Sequence, residues 1–271
     1  MEKIERDGVA IAYRVEGSAD TSRPWLVFSH SLACDHSMWD PQMAAFADYR
    51  ILRFDTRGHG ASGAPAGDYT LELLADDLKA LLDALSVRRC HFIGLSMGGM
   101  IGQQFALRYP GRFASMTLAD TTSRYPAEAR AVWDERLALV RARGMDAIVP
   151  STLERWFTAA FREREPAIVA RIGQLIRSTP VAGYAGCAYG ISRINLSARL
   201  SGIDCPALVM VGDADLGTPR PMAEEIVQAL PGSRLHVIER AAHLSNIEQP
   251  AEFNRVLRQF LTSVSQCTLS S

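Results

Sequence analysis

Along this chain, short apolar runs alternate with longer stretches whose apolar positions recur every three to four residues. Residues 25–29, 50–54, 90–94 and 116–119 form four such runs in the first half, and 207–211 and 234–238 form two more near the end. Runs that are apolar on both faces and separated by helix-length segments are expected of a buried, mostly parallel sheet. Between them, Leu71, Leu74, Leu78, Leu81, Leu82 and Leu85 fall at helical spacing and predict an amphipathic helix over 70–85. A second helix is predicted to follow Ser96 and to stop before Pro110-Gly111, and a third over 220–230 to close at Pro231-Gly232. A final helix is expected over 252–264, with a frayed tail at 265–271.

The middle of the chain reads differently. From 124 to 200 no strand is evident, and Trp133, Leu137 and Val140, then Leu153, Trp156, Phe157 and Phe161, then Ile168, Ile172, Leu175 and Ile176 keep helical spacing. The reading is an α/β protein with a mostly parallel central sheet flanked by helices. Its core comprises 1–123 and 201–271, and a helical cap at 124–200 lies over the carboxyl ends of the strands, where open α/β sheets bind their ligands.

Charge and composition narrow the function. The 271 residues carry 29 Lys and Arg against 30 Asp and Glu, so no basic field exists to hold nucleic acid. No stretch reaches the roughly 18 apolar residues of a membrane span. The first residues, Met1-Glu2-Lys3-Ile4-Glu5-Arg6-Asp7, are charged where a secretory leader is apolar. Five scattered cysteines (Cys34, Cys90, Cys187, Cys205, Cys267) without a C-x-x-C pair fit reduced thiols in a cytoplasmic protein better than disulfides or a zinc site.

The chemistry centres on Gly94-Leu95-Ser96-Met97-Gly98, a G-x-S-x-G sequence between a predicted strand and a predicted helix. A serine on such a turn is a nucleophile candidate, because the flanking glycines remove side chains that would clash. The chain lacks the Gly-Lys-Ser/Thr of a phosphate loop, and its glycines do not fit the dinucleotide fingerprint. A serine needs a base, and the base a carboxylate, in the chain order Ser, acid, His. His30, His36, His59 and His91 precede Ser96 and fail that order, and His236 lies inside a predicted strand. His243, in a loop before the last helix, is the expected base. Asp215, three residues past Gly212, is the expected acid, with Asp213 and Asp120 as alternatives. Two backbone N–H groups should hold the oxyanion: that of Met97, after the nucleophile, and that of Leu32, in the loop after residues 25–29. His30 is expected to fix that loop, and Arg57 and His59 to serve as scaffold.

With these residues in place the chain resembles the α/β-hydrolases over its whole length, and within them the 3-oxoadipate enol-lactonase branch. The resemblance rests on His30-Ser31-Leu32 with Ser37-Met38-Trp39, on Asp55-Thr56-Arg57-Gly58-His59-Gly60, on Gly94 to Gly99, and on His243-Leu244-Ser245-Asn246-Ile247-Glu248-Gln249-Pro250. Ala33 departs from the glycine usual in such relatives. The resemblance implies an α/β-hydrolase fold and cofactor-free hydrolysis of an enol-lactone to a 3-oxo acid, within bacterial degradation of aromatic compounds. It places Ser96, His243 and Asp215 on the nucleophile, base and acid positions, and Leu32 and Met97 on the oxyanion positions. The expected partner is a small-molecule ester or lactone. The competing readings are a broad carboxylesterase, a carbon–carbon hydrolase of ring-cleavage products, and a ligand receptor on the same scaffold. A carboxylated lactone calls for a cation; Arg124, Arg155, Arg177 and Arg193 are available, and the sequence singles out none of them.

Overall fold

The computed structural model describes residues 1–269. Its strands are β1 (Glu2–Arg6), β2 (Val9–Gly17), β3 (Trp25–Ser29), β4 (Arg50–Phe54), β5 (Cys90–Leu95), β6 (Phe113–Ala119), β7 (Ala207–Gly212) and β8 (Arg234–Ile238). They form one sheet in the order β1-β2-β4-β3-β5-β6-β7-β8. From β4 to β8 every pairing is parallel, while β1 and β2 join antiparallel at one edge. Every residue of β3, β5 and β7 is buried, which is why these strands read as unbroken apolar runs.

The edge hairpin has no counterpart in the sequence reading. Arg6 pairs with Val9, leaving Asp7-Gly8 as a two-residue loop. Both loop residues have positive φ, 50° and 73°, the geometry that matches the twist of a hairpin and that Asp-Gly adopts readily. That dipeptide, followed by the buried Val9, Ile11 and Tyr13, was the available signal.

The helices are α1 (Asp40–Met43), α2 (Leu71–Ala84), α3 (Met97–Arg108), α4 (Ala129–Arg143), α5 (Val149–Trp156), α6 (Ala159–Arg164), α7 (Pro166–Ser178), α8 (Val181–Ile191), α9 (Arg220–Ala229), α10 (Ser245–Glu248) and α11 (Pro250–Leu269). Helix α2 buries the leucine face its spacing predicts, and Thr70 caps it by accepting from Leu73 N–H at 3.1 Å. Helices α2 and α3 pack side by side, α9 lies against β7 and β8, and α11 against β6 and β8. Helix α11 runs through Leu269, so 265–269 continue it rather than fray; the last two residues of the predicted tail lie outside the described residues. Among the described residues no helix is long and apolar enough to cross a membrane.

Helices α4 to α8 form one continuous excursion between β6 and β7. The excursion leaves and rejoins the core at a narrow stem. An isolated bridge joins Arg124 to Asn195, Leu196 N–H donates to Ser123 O at 2.8 Å, and Tyr125 N–H to Ile194 O at 3.4 Å. A second tie forms farther along, where buried Glu248 accepts from Thr158 N–H and Oγ1 and from Ala242 N–H.

Candidate active site

Strand β5 delivers the chain to Ser96 with φ 55° and ψ −115°, a left-handed conformation strained for a serine, and α3 begins at the next residue. Close approach of three backbones explains the neighbouring glycines. A Cβ on Gly94 would overlap the Gly98 backbone, and one on Gly98 would overlap the Ser29 carbonyl at the end of β3. The turn is tied to β6, because Ser96 N–H donates to Ala119 O at 2.9 Å and Thr121 Oγ1 donates to Ser96 O at 2.7 Å.

His243 stands in the loop after β8. Its Nδ1 donates to Asp215 Oδ2 at 2.9 Å, which leaves Nε2 as the accepting nitrogen. Asp215 is held from its other sides by Gly217 N–H at 2.7 Å, Thr218 N–H at 3.1 Å and Thr218 Oγ1 at 2.8 Å. Burial opposes the Asp215 charge, but the His243 cation and these hydrogen bonds outweigh it and lower its pKa. For His243 burial opposes the cation, the Asp215 carboxylate outweighs that, and the pKa is raised.

The two alternative aspartates are hydrogen-bonded to other groups. Asp213 Oδ1 accepts from Ala241 N–H at 3.2 Å and shapes the histidine loop. Asp120, at φ 44°, accepts from Gly212 N–H at 2.8 Å and from Ser245 Oγ, so it joins β6, the end of β7 and α10. Burial and the neighbouring Asp215 charge raise its pKa well above the ordinary carboxylate value. Of the three aspartates, Asp215 is the one bonded to His243.

The loop after β3 is braced by two buried imidazoles. His30 Nδ1 donates to Ser31 O at 2.7 Å while its Nε2 accepts from Thr56 N–H at 2.9 Å. His59 Nε2 accepts from Ala33 N–H at 3.0 Å. A nitrogen can accept only on a neutral ring, and burial lowers both pKa values, that of His59 to about 3. Arg57 makes a two-pronged pair with Asp77, both bonds at 2.7 Å, and anchors the adjacent turn. Ala33 takes φ 58°, the left-handed conformation that glycine adopts freely. Among the described residues neither Leu32 N–H nor Met97 N–H meets a protein acceptor, and Met97 lies at the positive end of α3. Cys34, next in this loop, is buried, and burial pushes its thiol far above its usual range, which disfavours the thiolate.

Ser31, Leu32, Ser96, Gly217 and His243 line the floor of one cavity of about 190 Å³. Its roof comes from the stem and from α4, α5 and α8, with Tyr125, Trp133, Trp156 and Tyr184. Trp156 stacks over the His243 ring with centroids 6.0 Å apart. Val132, 61 % exposed, marks an opening along α4. Of the four arginines weighed from the sequence, Arg155 reaches this cavity. Arg124 pairs with Glu225, Arg177 pairs with Asp146, and Arg193 stacks over Tyr189. Arg136 lines the cavity too and was missed, because helical spacing on α4 does not tell which turn faces a neighbouring domain layer.

Asp35, His36 and Asp55 could together offer three metal ligands. Their atoms are already engaged: Asp35 accepts from Ser37, and Asp55 Oδ1 accepts from His36 N–H and Nδ1. That arrangement is a loop clasp in its own right.

Residues 24–250 match the family model described as the alpha/beta hydrolase fold. The chain is 39% identical to 3-oxoadipate enol-lactonase 2 of Acinetobacter baylyi strain ADP1, over 92% of both chains. It is 31% identical to a protein of Variovorax paradoxus strain S110 named for carbamate hydrolysis, RutD, over 93% of this chain and 96% of that one. The crystal structure of the enol-lactonase from Burkholderia xenovorans LB400 superposes with a TM-score of 0.93 at 39% identity, covering 96% of this chain and 100% of that one.

Proposed function

The chain belongs to the α/β-hydrolase family, and from that membership we propose that it hydrolyses a carboxylic ester or lactone through Ser96, His243 and Asp215, with 3-oxoadipate enol-lactone as its substrate. One observation carries the reading: a serine held at positive φ and a histidine bonded to a buried carboxylate open onto the same cavity. The similarity to enol-lactonases supports the choice of lactone.

In this reading Ser96 Oγ attacks the lactone carbonyl while His243 Nε2 takes its proton. Asp215 orients the imidazole and stabilises its cation without taking the proton. The N–H groups of Leu32 and Met97 donate to the oxyanion that forms. When the intermediate collapses, the ring C–O bond breaks and the enolate oxygen receives the proton from His243. The enol stays attached to the acyl chain and becomes the 3-oxo group on tautomerising. Water, activated by the same histidine, then releases the acid and regenerates the serine.

The test is to compare hydrolysis of enzymatically generated 3-oxoadipate enol-lactone with that of a short and a long p-nitrophenyl ester, with Ser96→Ala as control. The reading expects kcat/KM for the lactone in the usual enzyme range of about 10⁴–10⁸ M⁻¹s⁻¹, far above both esters, and abolished in the variant. Good ester turnover with little lactone activity would make the protein a broad carboxylesterase. Preference for a carbamate would favour the chemistry for which the Variovorax relative is named. Full activity in Ser96→Ala would refute the mechanism.

A further inference from the structure

The peptide groups on both sides of His243 are tied to the cap. Leu244 N–H, just after it, donates to Trp156 O at 3.1 Å, at the end of α5. Ala242 N–H, just before it, donates to Glu248 Oε1 at 2.8 Å. Glu248 ends α10 and is 3 % exposed. Its Oε2 accepts from Thr158 Oγ1 at 2.7 Å, and Thr158 N–H lies 3.2 Å from both carboxylate oxygens. Thr158 caps α6, accepting from Phe161 N–H at 3.2 Å, and stands two residues past Trp156. The Trp156 ring in turn stacks over the imidazole. A buried carboxylate is costly unless donors surround it, and here the donors come from two places: the histidine loop and the cap. Glu248 and Thr158 both lie outside the lining of the cavity.

We propose that Glu248 is a positioning residue for the base: through the Ala242 amide it aims the His243 imidazole, and it does so while Thr158 keeps the cap seated on it. The inference rests on the reading of His243 as base and adds what holds that base in place. The bond from Nδ1 to Asp215 fixes the tautomer, but a ring held at one nitrogen still moves with its own backbone. Glu248 and Trp156 O hold that backbone, and the Trp156 ring covers one face of the imidazole. Loss of the Glu248–Thr158 bonds frees the loop and the stacked ring together, and a misplacement of about 1 Å in a proton-transfer group costs about 10²-fold in rate. Because neither residue lines the cavity, the loss falls on turnover of every ester and leaves the preference among esters alone. Thr158 belongs to the seam between cap and core, not to the wall that meets substrate.

The test measures kcat and KM on a short and a long p-nitrophenyl ester, well below the melting midpoint of each variant. Glu248→Gln keeps the shape but exchanges one accepting oxygen for a donor, and is expected to lower kcat by about 10- to 100-fold on both esters with KM within about threefold. Thr158→Val removes the hydroxyl and should lower kcat by about 3- to 10-fold, while Thr158→Ser, which keeps it, should stay within about twofold of the wild type. In the double variant Glu248→Gln/Thr158→Val the loss should be no larger than in Glu248→Gln alone, because both changes break one link. An unchanged kcat in Glu248→Gln, a loss confined to KM, or losses that simply multiply in the double variant would each overturn the proposal. Should Glu248→Gln fail to fold, the threonine pair still decides, since equal rates for Thr158→Val and Thr158→Ser overturn it. His243→Ala separates the two levels of the argument. If it abolishes cleavage while Glu248→Gln keeps full kcat, the base stands and the positioning role falls; if it retains full cleavage, the reading of the base falls first.

Discussion

The floor and the roof of the cavity are built on opposite plans. On the floor the reacting groups are braced by hydrogen bonds, while the N–H groups of Leu32 and Met97 and the Ser31 hydroxyl stay open. Ser96 is fixed by Ala119 and Thr121, Asp215 by Gly217, Thr218 and His243, and the loop with Leu32 by His30 and His59. The roof is aromatic and aliphatic, and its charges have few partners. A bonded floor keeps acyl-transfer geometry constant, which catalysis requires to within a fraction of an ångström. A loosely bonded roof can change its lining without disturbing that geometry. The difference implies that floor substitutions alter how fast any ester is cleaved, and roof substitutions alter which ester is preferred.

The sharpest way to break this division is on the floor. Ser96→Ala should lower kcat/KM by about 10⁴- to 10⁶-fold on every ester, as measured by product release. Asp215→Asn should lower it by about 10⁴-fold, because the imidazole loses the carboxylate that fixes its tautomer. Asp120→Asn, at a carboxyl whose pKa burial already raises, should stay within about tenfold. The reverse ranking of those two variants would make Asp120 the acid. Gly98→Ala should shift the elbow against Ser29, with melting expected to show a loss of about 1–3 kcal/mol together with a fall in kcat.

Activity on any ester should also share one pH limb. In the proposed mechanism His243 must be neutral to accept the serine proton, and its pKa is raised by Asp215. Hence kcat/KM should decline as pH falls through a value above the ordinary 6.5, and a pH profile on two unrelated esters should give the same limb. The smallest expected effect belongs to the roof. Trp156→Leu should change the ratio between a short and a long ester by about tenfold while both remain substrates. A uniform loss would mean that the stack on His243 matters more than the wall it forms.

The floor was largely legible in the sequence and the roof was not. Ser96 announces itself through Gly94 and Gly98, because close backbone packing leaves glycine as the residue that fits. His243 follows from chain order. Asp215 could not be separated from Asp213 and Asp120 by order alone. What separates them is local: the N–H groups of Gly217 and Thr218 turn back onto the Asp215 carboxylate. The strands of the buried sheet were readable as apolar runs, whereas the β1–β2 hairpin, half exposed at the edge, lacked such a run. In the roof, helical spacing reveals an apolar face but not what it covers. Arg136 and Arg155 therefore looked like other helix arginines until the helices were docked over the strands.

The stem at Arg124 and Asn195 bears on inheritance. Because the two crossings lie side by side, the segment between them leaves and returns through one doorway, and its replacement need not move any strand of the sheet. A lineage could thus trade one roof for another in a single recombination and retain a working hydrolytic floor. The transplant must match several ties across the seam, among them Tyr69 N–H on Gly186 O, Leu244 N–H on Trp156 O, and Glu248, whose buried carboxylate is bonded to Thr158. A donor segment lacking a hydroxyl and an N–H at that place would leave this acid partly unmatched, so roofs and acids should travel together through descent.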